Sequence, residues 1–246
     1  MLIRTKVLIA ASLLGATRLA QGQVLIGYLF GEKLASETFN MGFEIGINFS
    51  TLDGMGEADR DRKTVFGLFA DWRFSEHFHF GAALLPIAGR GASGLEPVPT
   101  GDPALDEQTA GGTMARNLGY LEIPLLLRWA PKRDIGFRAG VGPSFGIITS
   151  ANDRYEATTV AGTPYVLERD IKDQTASVDA GLSADVEWRF PMLSIAARYT
   201  HGLTDIEEGA AVVKTRTLTG TGRIYLGKKK KPAPTISTNV RSAGFP

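Results

Sequence analysis

The chain has 246 residues, with 27 lysines and arginines against 26 acidic residues, and no cysteine. That balance gives nucleic acid no basic surface to bind, and the missing cysteine excludes disulfides, thiolate metal sites and a lipidated N-terminal cysteine. Its 43% hydrophobic content is ordinary for one large or two small globular domains, whereas 29 glycines without a collagen period call for strand interiors and turns.

Residues 1–22 read as a secretory signal peptide. Arg4 and Lys6 precede the apolar run Val7 to Ala16, and small residues at Ala20 and Gly22 mark a cleavage site. The run is far shorter than the ~20 residues of a spanning helix. Cleavage after Gly22 leaves 24 basic and 26 acidic residues, a formal charge of −2. Residues 23–38, with the apolar VLIGYLFGEKL (Val24 to Leu34), form a short N-terminal periplasmic segment.

Strand periodicity then takes over. Phe39, Met41, Phe43, Ile45, Ile47 and Phe49 alternate with small or polar residues, the period of a strand with one apolar face. The same pattern returns in Phe66 to Phe74, where Phe69 is an exception, and in Phe78 to Pro86. It continues through Asn117 to Trp129, Ile135 to Ile147, Val178 to Trp188, Leu193 to Leu203 and Arg216 to Leu226, giving eight strands. Each fits the roughly 9–11 residues that a tilted strand needs to cross a bilayer, and no later run reaches the ~18 apolar residues of a membrane helix.

Three links are short: Ser75 and Glu76, Ala130 to Asp134, and the stretch around Pro191. The other four, Thr51 to Lys63, Gly91 to Arg116, Ser150 to Gln174 and Thr204 to Lys214, are long and polar. Alternation of short turns and long loops predicts an all-β fold: an eight-stranded antiparallel, up-and-down transmembrane β-barrel over residues 39–227, with turns in the periplasm and loops outside.

The stretch NLGYLEIPLLLRW (Asn117 to Trp129) tests the idea, because Glu122 and Pro124 interrupt its most apolar run. Alternation sends Leu121, Ile123, Leu125, Leu127 and Trp129 outward, and Tyr120, Glu122, Pro124, Leu126 and Arg128 inward. Pro124 has no N–H for the ladder, so a bulge or a missing bond is expected there. Carried through all strands, the same parity places Glu44, Asp71, Arg73, Glu122, Arg128, Arg138, Asp179, Asp185, Glu187, Arg198 and Arg223 in the lumen. Acids and arginines in so narrow a space should pair into a network that fills it. Phe74, Phe78, Phe80, Trp129, Trp188, Phe190 and Tyr225 lie near strand ends, matching a periplasmic aromatic girdle.

Catalysis has little to build on. His77 and His79 flank a turn with no serine partner indicated, and His201 lies near Thr200 and Asp205. No phosphate-binding glycine loop or clustered metal motif is present, so neither a cofactor nor a metal is expected, and the chain reads as a non-enzyme. Residues 228–246, KKKPAPTISTNVRSAGFP after one further lysine at Lys228, read as a disordered basic periplasmic tail.

The stretches NLGYLEIPLLLRW, FRAGVGPSFGIITS (Phe137 to Ser150) and LLPIAGRGAS (Leu84 to Ser93), with VLIGYLFGEKL leading into GFEIGINFS, resemble the PorT-like family of outer-membrane β-barrel proteins. The resemblance implies an eight-stranded barrel in the bacterial outer membrane. The family's namesake is associated with a protein secretion system. The expected function is that of a structural or interaction barrel with a closed, salt-bridged lumen and long extracellular loops. Its expected partners are outer-membrane lipid and an envelope protein held by the loops or the basic tail. A narrow channel for small solutes or ions is the alternative, ahead of a lipid-modifying enzyme.

Overall fold

The computed structural model describes residues 38–132, 135–158, 162–207 and 212–226. The expected signal peptide, the periplasmic segment apart from Thr38, and the basic tail lie outside them. Among the described residues the protein is an antiparallel sheet of ten strands: β1 (Phe39–Asp53), β2 (Asp59–Arg73), β3 (Phe78–Ala88), β4 (Arg90–Leu95), β5 (Thr113–Trp129), β6 (Gly136–Thr158), β7 (Pro164–Asp170), β8 (Val178–Arg189), β9 (Leu193–Gly202) and β10 (Lys214–Leu226). A short helix, α1 (Pro103–Thr109), sits between β4 and β5.

Eight of these strands close a ring in the order β1, β2, β3, β5, β6, β8, β9 and β10, the last pairing back onto β1 from Met41 opposite Leu226 to Asp53 opposite Lys214. Closure leaves the ring no open edge. Its faces are sorted by parity. Trp72, Trp188 and Ile195 are 55%, 54% and 62% exposed, whereas Glu44, Asp71 and Glu187 are at most 1% exposed.

Two strands were not expected. β4 pairs with both β2 and β5, so it continues the place of β3 in the ring after a break at Gly89. β7 pairs with the far end of β6, making a hairpin beyond the ring. Of the stretches read as long polar loops, Thr51 to Lys63 and Ser150 to Gln174 are therefore largely strand, and Gly91 to Arg116 is strand at both ends. β1 and β2 run to a turn at residues 54–58, β5 begins at Thr113, and β6 is 23 residues long. Polar composition hid them because strands above the apolar belt have no reason to alternate in hydrophobicity.

Bulges account for the parity changes. Phe66 faces Ile87 while Leu68 faces Leu84, so β3 carries an extra residue at Leu85 and Pro86. Gly119 faces Ser150 while Tyr120 faces Ile148, leaving Thr149 unpaired in β6. The register thus shifts five residues from Pro124. At Pro124 itself the pairing with β3 lapses between Glu122 and Leu125 with the register kept, the outcome expected of a residue with no N–H.

The interior has two sections. At the end of the ring carrying the longer links it is apolar, built from Leu52, Val65, Leu85, Leu95, Met114, Leu118 and Ile148, with Ile171, Ile206 and Val213 folded in from the links themselves. Asp205 fastens one of those links by accepting the backbone N–H groups of Val213 (2.9 Å) and Glu207 (3.1 Å), which hold its carboxyl below the usual carboxylate range. The rest of the interior is mostly charged, and the buried Arg116 and Asp153 add one charged pair at the apolar end.

Candidate functional site

All eleven residues assigned to the lumen are buried. Arg128 stands at the centre of the largest group. Its Nε and Nη2 donate to Asp185 at 3.0 and 2.7 Å, and its Nη1 donates to Asp71 Oδ1 at 2.8 Å. Arg138 donates to the other oxygen of Asp71 at 2.8 Å. Arg223 bridges Glu44 and Glu187, both at 2.8 Å, and Glu187 also accepts the Tyr225 hydroxyl at 2.7 Å. Arg198 contributes an ion pair to Glu44 at 3.3 Å. Gly140 makes this packing possible, since a Cβ there would lie 2.6 Å from both Arg128 Cγ and Asp185 Oδ1.

A second group forms around Asp179. Its carboxylate accepts from Arg90, Tyr120, Thr204 and Thr215 at 2.9 to 3.1 Å. Arg90 also pairs with Glu122 at 3.0 Å and lies 4.5 Å from the Tyr120 ring, while Ser144 donates to Glu122 at 3.1 Å. Arg73, the last of the eleven, lies opposite His79 at the turn end of the ring.

Parity missed four members of the buried set. Arg90 turns inward only because the β3 bulge flips the phase, and Asp153 because Thr149 does the same in β6. Arg116 shares the phase of Tyr120 and Glu122, and extending that alternation upward would have found it. It grips Asp153 through two bonds of 2.7 Å and reaches Glu207 at 2.9 Å. Arg189 continues the phase of Asp185 and Glu187; its guanidinium lies 3.9 Å from the ring of Tyr225. That contact also corrects the girdle. Tyr225 is 5% exposed and belongs to the interior, whereas the other six aromatics face outward. Its parity is that of Arg223, which a reading from strand position alone passed over.

The histidines are not brought together. His77 Nδ1 lies 3.2 Å from the Ala130 carbonyl at a turn, and His79 is buried inside the ring. His201 faces outward beside Tyr199, its neighbour Thr200 points inward to Ser183 at 2.7 Å, and Asp205 is held by backbone. His201, Thr200 and Asp205, near one another in sequence, are thus each engaged by a different partner.

Outside the ring, the strap Glu96 to Pro99 and α1 border a groove of about 510 Å³, closed on its third side by Thr109 to Gly112. Thr100 ties the strap to the helix: its backbone N–H and hydroxyl donate to Asp106 at 2.6 and 2.7 Å, and these bonds lower the carboxyl's pKa. Tyr155 donates from β6 to the Val98 carbonyl at 3.1 Å. A carboxyl depressed in the folded loop stabilises it fully above the ordinary carboxylate range, and that contribution drains away as pH falls through the folded-state value. Amide exchange over residues 96–112 should accordingly speed up as pH drops below that range, beyond the intrinsic change. Asp106→Asn should remove the transition, and an identical pH profile in the variant would refute the role of this carboxylate.

Residues 21–208 match the family model described as the outer membrane protein beta-barrel domain, which is most of the chain. The chain belongs to that family. The family places it among membrane proteins of the bacterial outer membrane. No curated protein sequence matches the barrel. Solved structures similar to the barrel include Ail, the attachment invasion locus protein of Yersinia pestis, in complex with a heparin analogue. It is 10% identical over 77% of this chain and 99% of that one, with a TM-score of 0.42. Neisserial surface protein A is 9% identical over 77% and 97%, with a TM-score of 0.39. OprG from Pseudomonas aeruginosa is 11% identical over 77% and 95%, with a TM-score of 0.35.

Proposed function

We propose that this protein is a non-enzymatic, closed eight-stranded barrel that spans the outer membrane and holds its external segments rigidly for contact with an envelope partner. One observation carries the reading: among the described residues the interior is lined by buried ion-paired side chains and, towards the longer links, by buried apolar ones. Eight strands enclose a space that side chains can fill, and most of the buried charges here have partners. The outward face, with Ile45, Ile47, Phe66, Val141, Phe145, Leu182, Val186 and Ile195 exposed, suits acyl chains. A soluble ligand-carrying barrel would have the opposite sorting.

The contact surface we assign is built by the β6–β7 hairpin and the strap with α1. Segments fixed on a rigid scaffold are where binding residues concentrate. The kinship with the PorT-like proteins, and a link to secretion, belong to this reading and rest on the YLEIP stretch and its neighbours. The basic tail remains the other proposed contact with lipid or partner.

The test begins with envelope fractionation of the full chain, expecting outer-membrane recovery and a band whose mobility shifts on heating in detergent. In planar bilayers the parent, Glu122→Gln and Arg138→Gln should all give no stable ion-sized openings. Openings in the parent that change in either variant would overturn closure in favour of a narrow channel.

A further inference from the structure

On the outward face, β2, β1, β10 and β9 lie side by side, and their registers align the side chains in rows. Phe66, Ile45, Gly222 and Ile195 form one row, and the next towards the longer links is Thr64, Ile47, Gly220 and Ala197. Arg62, Phe49, Leu218 and Tyr199 follow, and above them Thr51, Arg216 and His201. Apolar surface thus gives way within one row to aromatic rings and arginines. Rings at the edge of an apolar belt mark a membrane interface, where one end of the side chain is wet.

Both arginines are open to a partner. Arg62 is exposed, lies over the Phe49 ring at 5.7 Å and forms no ion pair among the described residues. Arg216 donates from Nη1 to the Gly202 carbonyl at 3.1 Å, which holds it against the sheet, and from Nη2 to Asp53 at 2.8 Å. The Asp53 side chain is 63% exposed, so this pair is weak and a phosphate can replace it. Lys214, opposite Asp53 in the register, adds a further cation of the same parity as Arg216. Across the ring the pattern differs. There β6 turns Ser150, Asn152, Arg154 and Glu156 outward, and Arg154 is matched by Glu156 at 2.8 Å and Glu168 at 3.4 Å.

Position and charge together select the occupant. The patch is on the flank of the ring, directly above the surface that suits acyl chains, so the group that meets it is the headgroup of the lipid whose chains lie below. Guanidinium forks match phosphate oxygens, and cations at a membrane surface attract anionic lipid. We propose that Arg62 and Arg216 bind the phosphate of an anionic lipid headgroup at the end of the barrel carrying the longer links, a site that presupposes the membrane-spanning reading.

The probe is diphosphoryl lipid A, added as a minor component to phosphatidylcholine vesicles. Lipid A should raise the urea midpoint of the inserted parent chain. A chain that gives no heat-modifiable band in either vesicle would defeat the spanning reading itself, whereas insertion with a midpoint indifferent to lipid A would defeat the site alone. Titration of lipid A into the folded protein in detergent should show binding weakened about fivefold by Arg62→Gln, with a similar loss for Arg216→Gln. Arg62→Lys should keep most of the affinity and Arg154→Gln all of it. Undiminished binding by Arg62→Gln would refute the assignment. Inorganic phosphate should not compete with lipid A at matched ionic strength, and effective competition would make the patch a free-anion site and overturn the lipid.

Discussion

Arg128→Ala is expected to cost about 3–5 kcal/mol of folding stability, because it strands buried Asp185 and takes one of two arginines from Asp71. Asp185 loses donors at 3.0 and 2.7 Å, and Asp71 loses the 2.8 Å bond to its Oδ1 while keeping the one from Arg138 to its Oδ2. The measurement is the urea midpoint for folding into lipid vesicles, read from the heat-modifiable band. Arg154→Ala is the matched control. Arg154 pairs with Glu156 at 2.8 Å but its side chain is 44% exposed, and an exposed pair contributes at most about 1 kcal/mol. Adding Asp185→Asn to Arg128→Ala should restore part of the loss, since it removes an unpaired charge without refilling the space. Equal midpoints for Arg128→Ala and the parent would mean that the interior network is solvated, and the closed-lumen reading would fall with it.

The parity rule that located Arg128 worked wherever a strand kept its register through the apolar belt. Glu44, Asp179, Asp185 and Glu187 lie on uninterrupted alternation, and hydrophobicity on the opposite face reports their direction. Arg90 and Asp153 lie beyond bulges, and a bulge changes the phase by one residue without changing composition. Pro86 beside the first bulge is a visible hint, but nothing in the sequence around Thr149 announces the second. The eight-strand count missed two strands for a related reason. Residues 90–95 and 164–170 pair beyond the stretch where the outward face is apolar, so hydrophobicity there carries no two-residue period. Partner choice within the lumen was beyond reach as well. Which arginine meets which carboxylate depends on the stagger of strands around the closed ring, and that is set by all eight registers together.

Replacing Ile45 with arginine should destabilise the inserted barrel by about 2–4 kcal/mol, the cost of a cationic side chain near the middle of the bilayer. Ile45 lies midway along β1, is 54% exposed on the outward face, and stands opposite Phe66 and Gly222 in the register. Thr51→Arg, six residues further along the same face, should cost about 1 kcal/mol or less, because there the guanidinium reaches headgroups and water. The comparison separates a lipid-facing surface from an ordinary exposed one. A soluble protein would gain or lose almost nothing from either change, and a barrel with the opposite sorting would be disrupted by both. Folding titrations in vesicles of matched thickness give the two costs directly. A depth-dependent difference would support the belt assigned here, while equal and negligible costs would place the apolar face of β1 against something other than acyl chains.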